Sequence, residues 1–172
     1  MKLFPTTLPW RIVLCTLLAL GTSGARAAAA AEDDAGPDAN HWRLVVSPYT
    51  HHYRYSAEHR KVWAVGLERQ QSNRWLLGLS YFQNSFGQPS GYVYVGRRIE
   101  GLFGVEPWFA QWSTGVLYGY TGKYKTKVPL NFHGFAPGAL LSSGWQVNRA
   151  FSAQLNLLGD AGVMLQLSYA LR

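Results

Sequence analysis

The amino-acid sequence predicts an all-β fold: eight antiparallel strands in an up-and-down meander, closed into a transmembrane β-barrel. Three observations carry that prediction. From residue 41 to residue 172 apolar side chains recur at every second position, the period of a strand with one apolar face, and not at the helical period. Turn residues divide this stretch into eight runs, an even number, joined by three very short connections at 71–73, 147–149 and 159–161. The face opposite the large apolar side chains carries Gly, Ser, Gln and Asn, which inverts the arrangement of a soluble barrel with its core inside.

The N-terminal segment sets the compartment. Lys2 and Arg11 precede the apolar run 12–20, and Ala25-Arg26-Ala27 places small residues where a signal peptidase reads them, so residues 1–27 are expected to be a cleaved secretory signal. The apolar run is shorter than the ~20 residues that a spanning helix needs. Cys15 lies within it and would leave with it, so the mature chain would hold no cysteine for a disulfide or a thiolate metal site. Residues 28–40 are alanine-rich and acidic without an apolar stripe, and read as a flexible leader. Beyond them 13 basic residues face five acids, which puts the folded part at +8. With 15% charged and 15% aromatic residues the chain resembles neither a disordered segment nor a nucleic-acid-binding arm.

The eight runs are 42–55, 61–70, 74–84, 89–99, 109–121, 132–146, 150–158 and 162–171. In the second, Trp63, Val65 and Leu67 oppose Ala64, Gly66 and Glu68; in the third, Trp75, Leu77, Leu79 and Tyr81 oppose Leu76, Gly78, Ser80 and Phe82. The seventh sets Phe151, Ala153, Leu155 and Leu157 against Ser152, Gln154 and Asn156. The eighth sets Val163, Leu165, Leu167, Tyr169 and Leu171 against Met164, Gln166, Ser168 and Ala170. Such lengths match the ~9–11 residues of a tilted membrane-crossing strand better than the ~5–6 of a soluble one. Aromatic residues gather near the strand ends, where an interfacial girdle would sit. An open sheet edge in lipid would leave backbone groups unpaired at several kcal/mol each, so the sheet is expected to close. The alternative is a secreted soluble barrel or sandwich of lipocalin type, against which strand length and short turns argue.

With both termini on the periplasmic side, the first, third, fifth and seventh loops would face outward. They carry the polar chemistry: His51, His52, Glu58 and His59 in the first, Asn84 and Ser85 in the third, and Lys123, Lys125 and Lys127 in the fifth. A histidine cluster and a serine would thus share one rim, within reach of each other. The same residues also suit ordinary roles: interfacial histidines, a turn-forming Ser85 before Phe86-Gly87-Gln88-Pro89, and solvated lysines. Nothing resembles a metal-ligand set, a phosphate-binding glycine loop or a nucleotide site, so no cofactor is expected.

In order and spacing across nearly all of residues 42–172, though not in high identity, the chain resembles the outer-membrane lipid A palmitoyltransferases, the PagP family. His51-His52-Tyr53-Arg54-Tyr55 resembles the setting of that family's essential histidine, and the match falls on His52. Phe82-Gln83-Asn84-Ser85 resembles its aspartate–serine pair, with Asn84 at the carboxylate's position. Eleven residues past Ser85, Gly96 falls where the family has the floor of its acyl-chain pocket. Val128-Pro129-Leu130 resembles the approach to the family's sixth strand. Three departures stand beside these matches: Asn84 itself, Leu158 in place of a proline before the seventh strand's terminal glycine, and no counterpart of the family's N-terminal amphipathic helix.

The resemblance implies acyl transfer from phospholipid to lipid A, with His52 as general base, Ser85 and Asn84 as its hydrogen-bonding partners, and a pocket ending near Gly96. Lys123, Lys125 and Lys127 would lie level with lipid A phosphates. The expected partners are outer-membrane phospholipid and lipid A, with no nucleic acid and the barrel acting as a monomer. The alternative reading is a non-catalytic small barrel that binds lipid or passes a small solute, since barrels with similar short motifs carry the label of sn-glycerol-3-phosphate transporters. A packed eight-stranded barrel leaves little room for such a solute.

Overall fold

The computed structural model describes residues 40–171; the expected signal sequence, the leader through residue 39 and Arg172 lie outside the described residues. The strands are β1 (His41–His52), β2 (Trp63–Gln70), β3 (Trp75–Gln83), β4 (Pro89–Glu100), β5 (Trp108–Tyr118), β6 (Phe135–Gln146), β7 (Phe151–Leu157) and β8 (Gly162–Leu171). Each pairs antiparallel with the next, and β1 pairs with β8 to close the barrel. The eight-stranded antiparallel meander expected from the alternation is thus the fold. Asn40 already engages it, accepting a hydrogen bond from the Ser72 amide at 3.1 Å.

Three strand boundaries lie three residues from the sequence pattern, and the others fall within two. β1 ends at His52 rather than at 55, and β5 ends at Tyr118 rather than at 121. β6 starts at Phe135 rather than at 132, because Leu130, His133 and Gly134 adopt positive φ and cannot extend a ladder. Two short 3-10 segments, Leu102–Gly104 and Gly122–Lys127, lie in the connections flanking β5.

Side-chain direction follows the alternation closely. Leu79 is 59% exposed, Val93 54% and Leu155 52%, all on the outer surface of the barrel. The lumen instead holds buried Arg43, Glu68, Arg98, Gln111, Gln154, Asn156, Gln166 and Ser168. Aromatic side chains mark both ends of the outer surface: Trp42, Trp75, Trp108 and Trp145 near the short connections, and Tyr49, Tyr81, Tyr118 and Phe135 on the same strands near the longer ones. Two girdles on an apolar wall suit a bilayer-spanning barrel, and they are far from what water would select.

A polar lumen is stable only if its groups bond one another. Glu68 accepts from Tyr94 Oη at 2.8 Å and from Gln111 Nε2 at 3.3 Å. Arg43 donates to Gln70 and to Ser152, and Arg98 donates to Gln146 while lying 3.4 Å over the Phe109 ring. Asn156 donates to Gln166 and accepts from Gln154 and Ser142. Tyr92 stacks on Tyr94 with ring centroids 4.7 Å apart, filling the middle of the lumen. Gly78 makes this possible, since a Cβ there would strike the Tyr94 ring.

Two seams stop short on the side of the long loops. β1 pairs with β2 only as far as Ser47, so 48–52 have β8 alone as a neighbour. β6 pairs with β7 only from Leu141 to Gln146, which leaves 135–140 bonded to β5 alone. Each unpaired stretch contains a proline, Pro48 and Pro137, and proline has no N–H to give to a ladder.

The buried carboxylate provides a test of how the lumen is held. Tyr94→Phe removes one of the two donors to Glu68 and should lower the unfolding free energy by about 1–3 kcal/mol. Urea titration of the refolded barrel in detergent measures this. An unchanged midpoint would mean that the Tyr94–Glu68 bond contributes nothing to stability.

Candidate functional site

The loops after β1, β3, β5 and β7 share one rim, and a bulge in β1 decides which histidine enters it. Arg43, Val45 and Ser47 point into the lumen, so strict alternation would send His51 inward and His52 outward. At Pro48 the register against β8 slips: Val46 pairs with Leu167 but Tyr49 pairs with Leu165, one residue extra on β1. The phase inverts. Thr50 and His52 turn toward the lumen side, while Tyr49 and His51 are exposed. His52 lies three residues beyond Tyr49 and past the last β1–β2 pair, in the loop rim above the apolar wall.

Ser85 is brought to it by the tight β3–β4 turn. The Asn84 side chain organises that turn, its Oδ1 accepting from the amides of Phe86 at 2.9 Å and Gln88 at 3.0 Å, while its Nδ2 donates to the Gly119 carbonyl at 3.3 Å. Asn84 is 1% exposed. Its hydrogen bonds go to the turn and to the start of the β5–β6 loop, none of them to His52. The turn holds Ser85 Oγ 2.7 Å from His52 Nε2. Of the residues that the resemblance implies, the structure therefore joins His52 to Ser85 directly and gives Asn84 the task of shaping the turn beneath them.

Other groups complete the cluster. His59 lies against His52 with ring centroids 4.4 Å apart, and its first-loop neighbour Arg60 donates its amide to the Ser85 carbonyl at 2.8 Å. The Tyr120 ring meets Phe86 edge-on at 6.3 Å, beside the turn that carries Ser85. Phe86 stacks on Tyr124 at 4.2 Å and meets His59 edge-on at 5.8 Å, which puts an aromatic wall beside the imidazoles. Glu58 pairs with Lys123 at 3.2 Å, tying the first loop to the third of the long loops, and Lys127 Nζ sits 5.6 Å from the Phe86 ring centre. Lys123, Lys125 and Lys127 are all exposed on the 3-10 segment.

Electrostatics favours a neutral imidazole. Burial, and after it the positive fields of His59 and His51, hold the His52 pKa below the usual histidine value. In the tautomer protonated on Nδ1, a neutral ring would accept the Ser85 hydroxyl proton at Nε2. Burial raises the Tyr120 phenol above its ordinary value, with Ser85 partly offsetting the rise, so it stays protonated. Among the described residues no group of three His, Cys, Asp or Glu side chains is placed to hold a metal ion.

Gly96 lies on β4 facing the lumen, paired with Leu76 on one side and Ser113 on the other. A Cβ there would run into the Trp112 carbonyl oxygen, so the residue permits a close approach of β4 to β5. Tyr94 and Arg98 flank it on the same strand face. Sequence reasoning did not single out Tyr120, Phe86 or Tyr124. Tyr120 and Tyr124 lie across the barrel mouth from Ser85 in sequence terms, in a loop with no periodic pattern to orient them. Only the Asn-Ser-Phe-Gly turn chemistry hinted that Phe86 would be displayed at a loop tip.

The role of Asn84 in the turn is testable. Asn84→Asp would set a carboxylate oxygen against the Gly119 carbonyl in place of the amide donor, and should destabilise the barrel by about 1–3 kcal/mol. The same urea titration reads the change, and a midpoint equal to that of the unsubstituted protein would refute the assignment. No protein-family model matches the chain, and none of the curated protein sequences matches it.

Proposed function

We propose that the protein is an exported bacterial outer-membrane barrel that moves an acyl chain, palmitoyl in the related reaction, from a phospholipid to a lipid A hydroxyl at its loop rim. The observation that carries this reading is the 2.7 Å contact between His52 Nε2 and Ser85 Oγ. It sits at the mouth of a barrel with an apolar outer wall, where amphipathic substrates would meet a proton acceptor. Two further features support it. The β1–β2 and β6–β7 seams stop short near this rim, which offers lipid a sideways approach, and Lys123, Lys125 and Lys127 supply positive charge level with phosphate groups.

In this scheme the acceptor hydroxyl gives its proton to Ser85 Oγ as the Ser85 proton passes to His52 Nε2. The freed acceptor oxygen attacks the ester carbonyl of the donor lipid, forming the new ester. The bond from that carbonyl to the glycerol oxygen breaks, and the glycerol oxygen takes the proton back from His52 by the same path. The products are acylated lipid A and a lysophospholipid. Gly96 lies deeper than the stacked Tyr92 and Tyr94 that fill the lumen, so in this scheme the acyl chain does not reach it and lies along the outer wall at the open seams.

A non-catalytic lipid-binding barrel is the second reading, and one observation favours it. Asn84 is engaged by the turn, so it gives His52 no carboxylate to stabilise its charged form, and loss of that partner in hydrolytic triads costs about 10⁴ in rate. Passage of a small solute is the least favoured role, because Arg43, Glu68, Tyr92, Tyr94, Arg98 and Phe109 fill the lumen.

Mass spectra of lipid A from cells with and without the protein separate these readings. Cells carrying it should gain an acylated lipid A species that His52→Ala abolishes while the barrel still assembles. Identical spectra for the two, with both proteins folded in the outer membrane, would defeat the enzymatic reading.

The depressed His52 pKa sets the pH dependence. Transfer needs the neutral ring, so the rate should stay level as pH falls through about 6.5, the ordinary histidine value, and decline only below it. His59→Gln removes a positive neighbour, raises the His52 pKa and should move the acidic limb to higher pH. A pH–rate profile in mixed micelles checks both, and an unmoved limb would show that His59 does not act on the base.

A further inference from the structure

Hydrocarbon tolerates few charges on the outer wall of a barrel. Among the described residues, the Lys, Arg, Asp and Glu side chains at outward-facing strand positions are two, Arg69 on β2 and Arg97 on β4. Both are arginine, both are exposed, and both lie near the short-connection end. No carboxylate shares the outward face with them. Glu68 and Glu100 occupy lumen-side positions, and Glu100 is engaged by Arg74 at 3.8 Å and Arg98 at 3.5 Å.

Their surroundings are aromatic. Arg69 pairs across strands with Trp42 and holds its guanidinium 5.8 Å from that ring. Arg97 pairs with Trp75 on β3 and with Trp112 on β5, and those two indoles meet edge-on at 5.7 Å. The strand between the two arginines, β3, presents Trp75 and Leu77 to the outside. Two guanidiniums thus flank a tryptophan cluster at the depth where an aromatic girdle meets the headgroups. Long arginine side chains reach from such a position toward the interface.

We propose that Arg69 and Arg97, with Trp42, Trp75 and Trp112 between and beside them, form a binding site for the phosphodiester of an anionic phospholipid, in the leaflet at the short-connection end. Guanidinium forks match phosphate oxygens, and the indole faces cover the glycerol and upper acyl region. The surface selects an anion by excess positive charge, since among the described residues the outer wall offers no carboxylate to neutralise it. The site lies at the opposite end of the barrel from His52 and Ser85 and does not depend on their chemistry. It rests on the membrane-spanning part of the proposed function alone.

The test uses the full mature protein in nanodiscs of phosphatidylcholine containing phosphatidylglycerol, released into the gas phase for native mass spectrometry. The unsubstituted protein should retain phosphatidylglycerol in preference to phosphatidylcholine. Each of R69Q and R97Q should cut that preference about fivefold, at roughly the strength of one basic residue near an anionic surface. R69K/R97K should keep most of it. Gel mobility with and without heating verifies that each variant is folded.

Equal retention by the protein and the R69Q/R97Q variant overturns the proposal. So does loss of retention in K123Q/K125Q/K127Q with R69Q/R97Q unaffected, which would assign the lipid to the loop rim. A protein that stays soluble and enters no nanodisc of either composition instead overturns the membrane reading on which the proposal rests, an outcome distinct from insertion without selectivity.

Discussion

Closure of β1 onto β8 is the constraint from which the remaining features follow. Once the last strand bonds to the first, the wall has no open edge, and its outer surface can be apolar without exposing unpaired backbone. With the large apolar side chains outside, the inside receives whatever the alternate positions supply, here arginine, glutamate, glutamine, asparagine and serine. An eight-stranded barrel is narrow enough for such side chains to reach one another. Glu68, Tyr94, Gln111 and Arg98 therefore stabilise the lumen through hydrogen bonds and ring contacts rather than through apolar packing.

A filled lumen moves chemistry to the ends. Strand termini and loops are where the ladder no longer dictates side-chain direction, and there His52, His59, Ser85, Tyr120 and Phe86 converge. The convergence depends on local backbone devices. The Pro48 bulge turns His52 inward, the Asn84 side chain folds the turn that carries Ser85, and the Glu58–Lys123 pair links two loops across the mouth. Being exposed, that ion pair contributes little to stability. The buried Asn84 bonds hold the geometry more firmly, since an amide left unpaired there would lose its solvation without compensation.

The two ends of the barrel are chemically unlike. One presents titratable rings, a serine and mobile-length lysine side chains on long loops. The other presents short connections, a tryptophan belt and the two outward arginines. This polarity gives a proposed transferase separate surfaces for its reacting groups and for the lipid that surrounds its base.

Much of this was legible in the sequence, because a strand's side chains alternate whatever their neighbours are. Val163 to Leu171 reads apolar and polar by turns, and the fold places those residues outside and inside as written. Strand number, strand order and the inverted distribution of polarity follow from that local rule together with the short turns. The rule fails where the backbone departs from it. Counting alternate residues from Trp42 puts His52 outside, and only the register slip against β8 at Pro48 turns it in. Asn84 and Ser85 were visible as neighbours, but which of them faces the imidazole depends on a Gly119 carbonyl contributed by a loop 35 residues away. The same holds for Tyr120, whose partner is set by how two loops meet. Alternation is encoded residue by residue; the meeting of His52 with Ser85 is decided by register and closure, which exist only once all eight strands are paired.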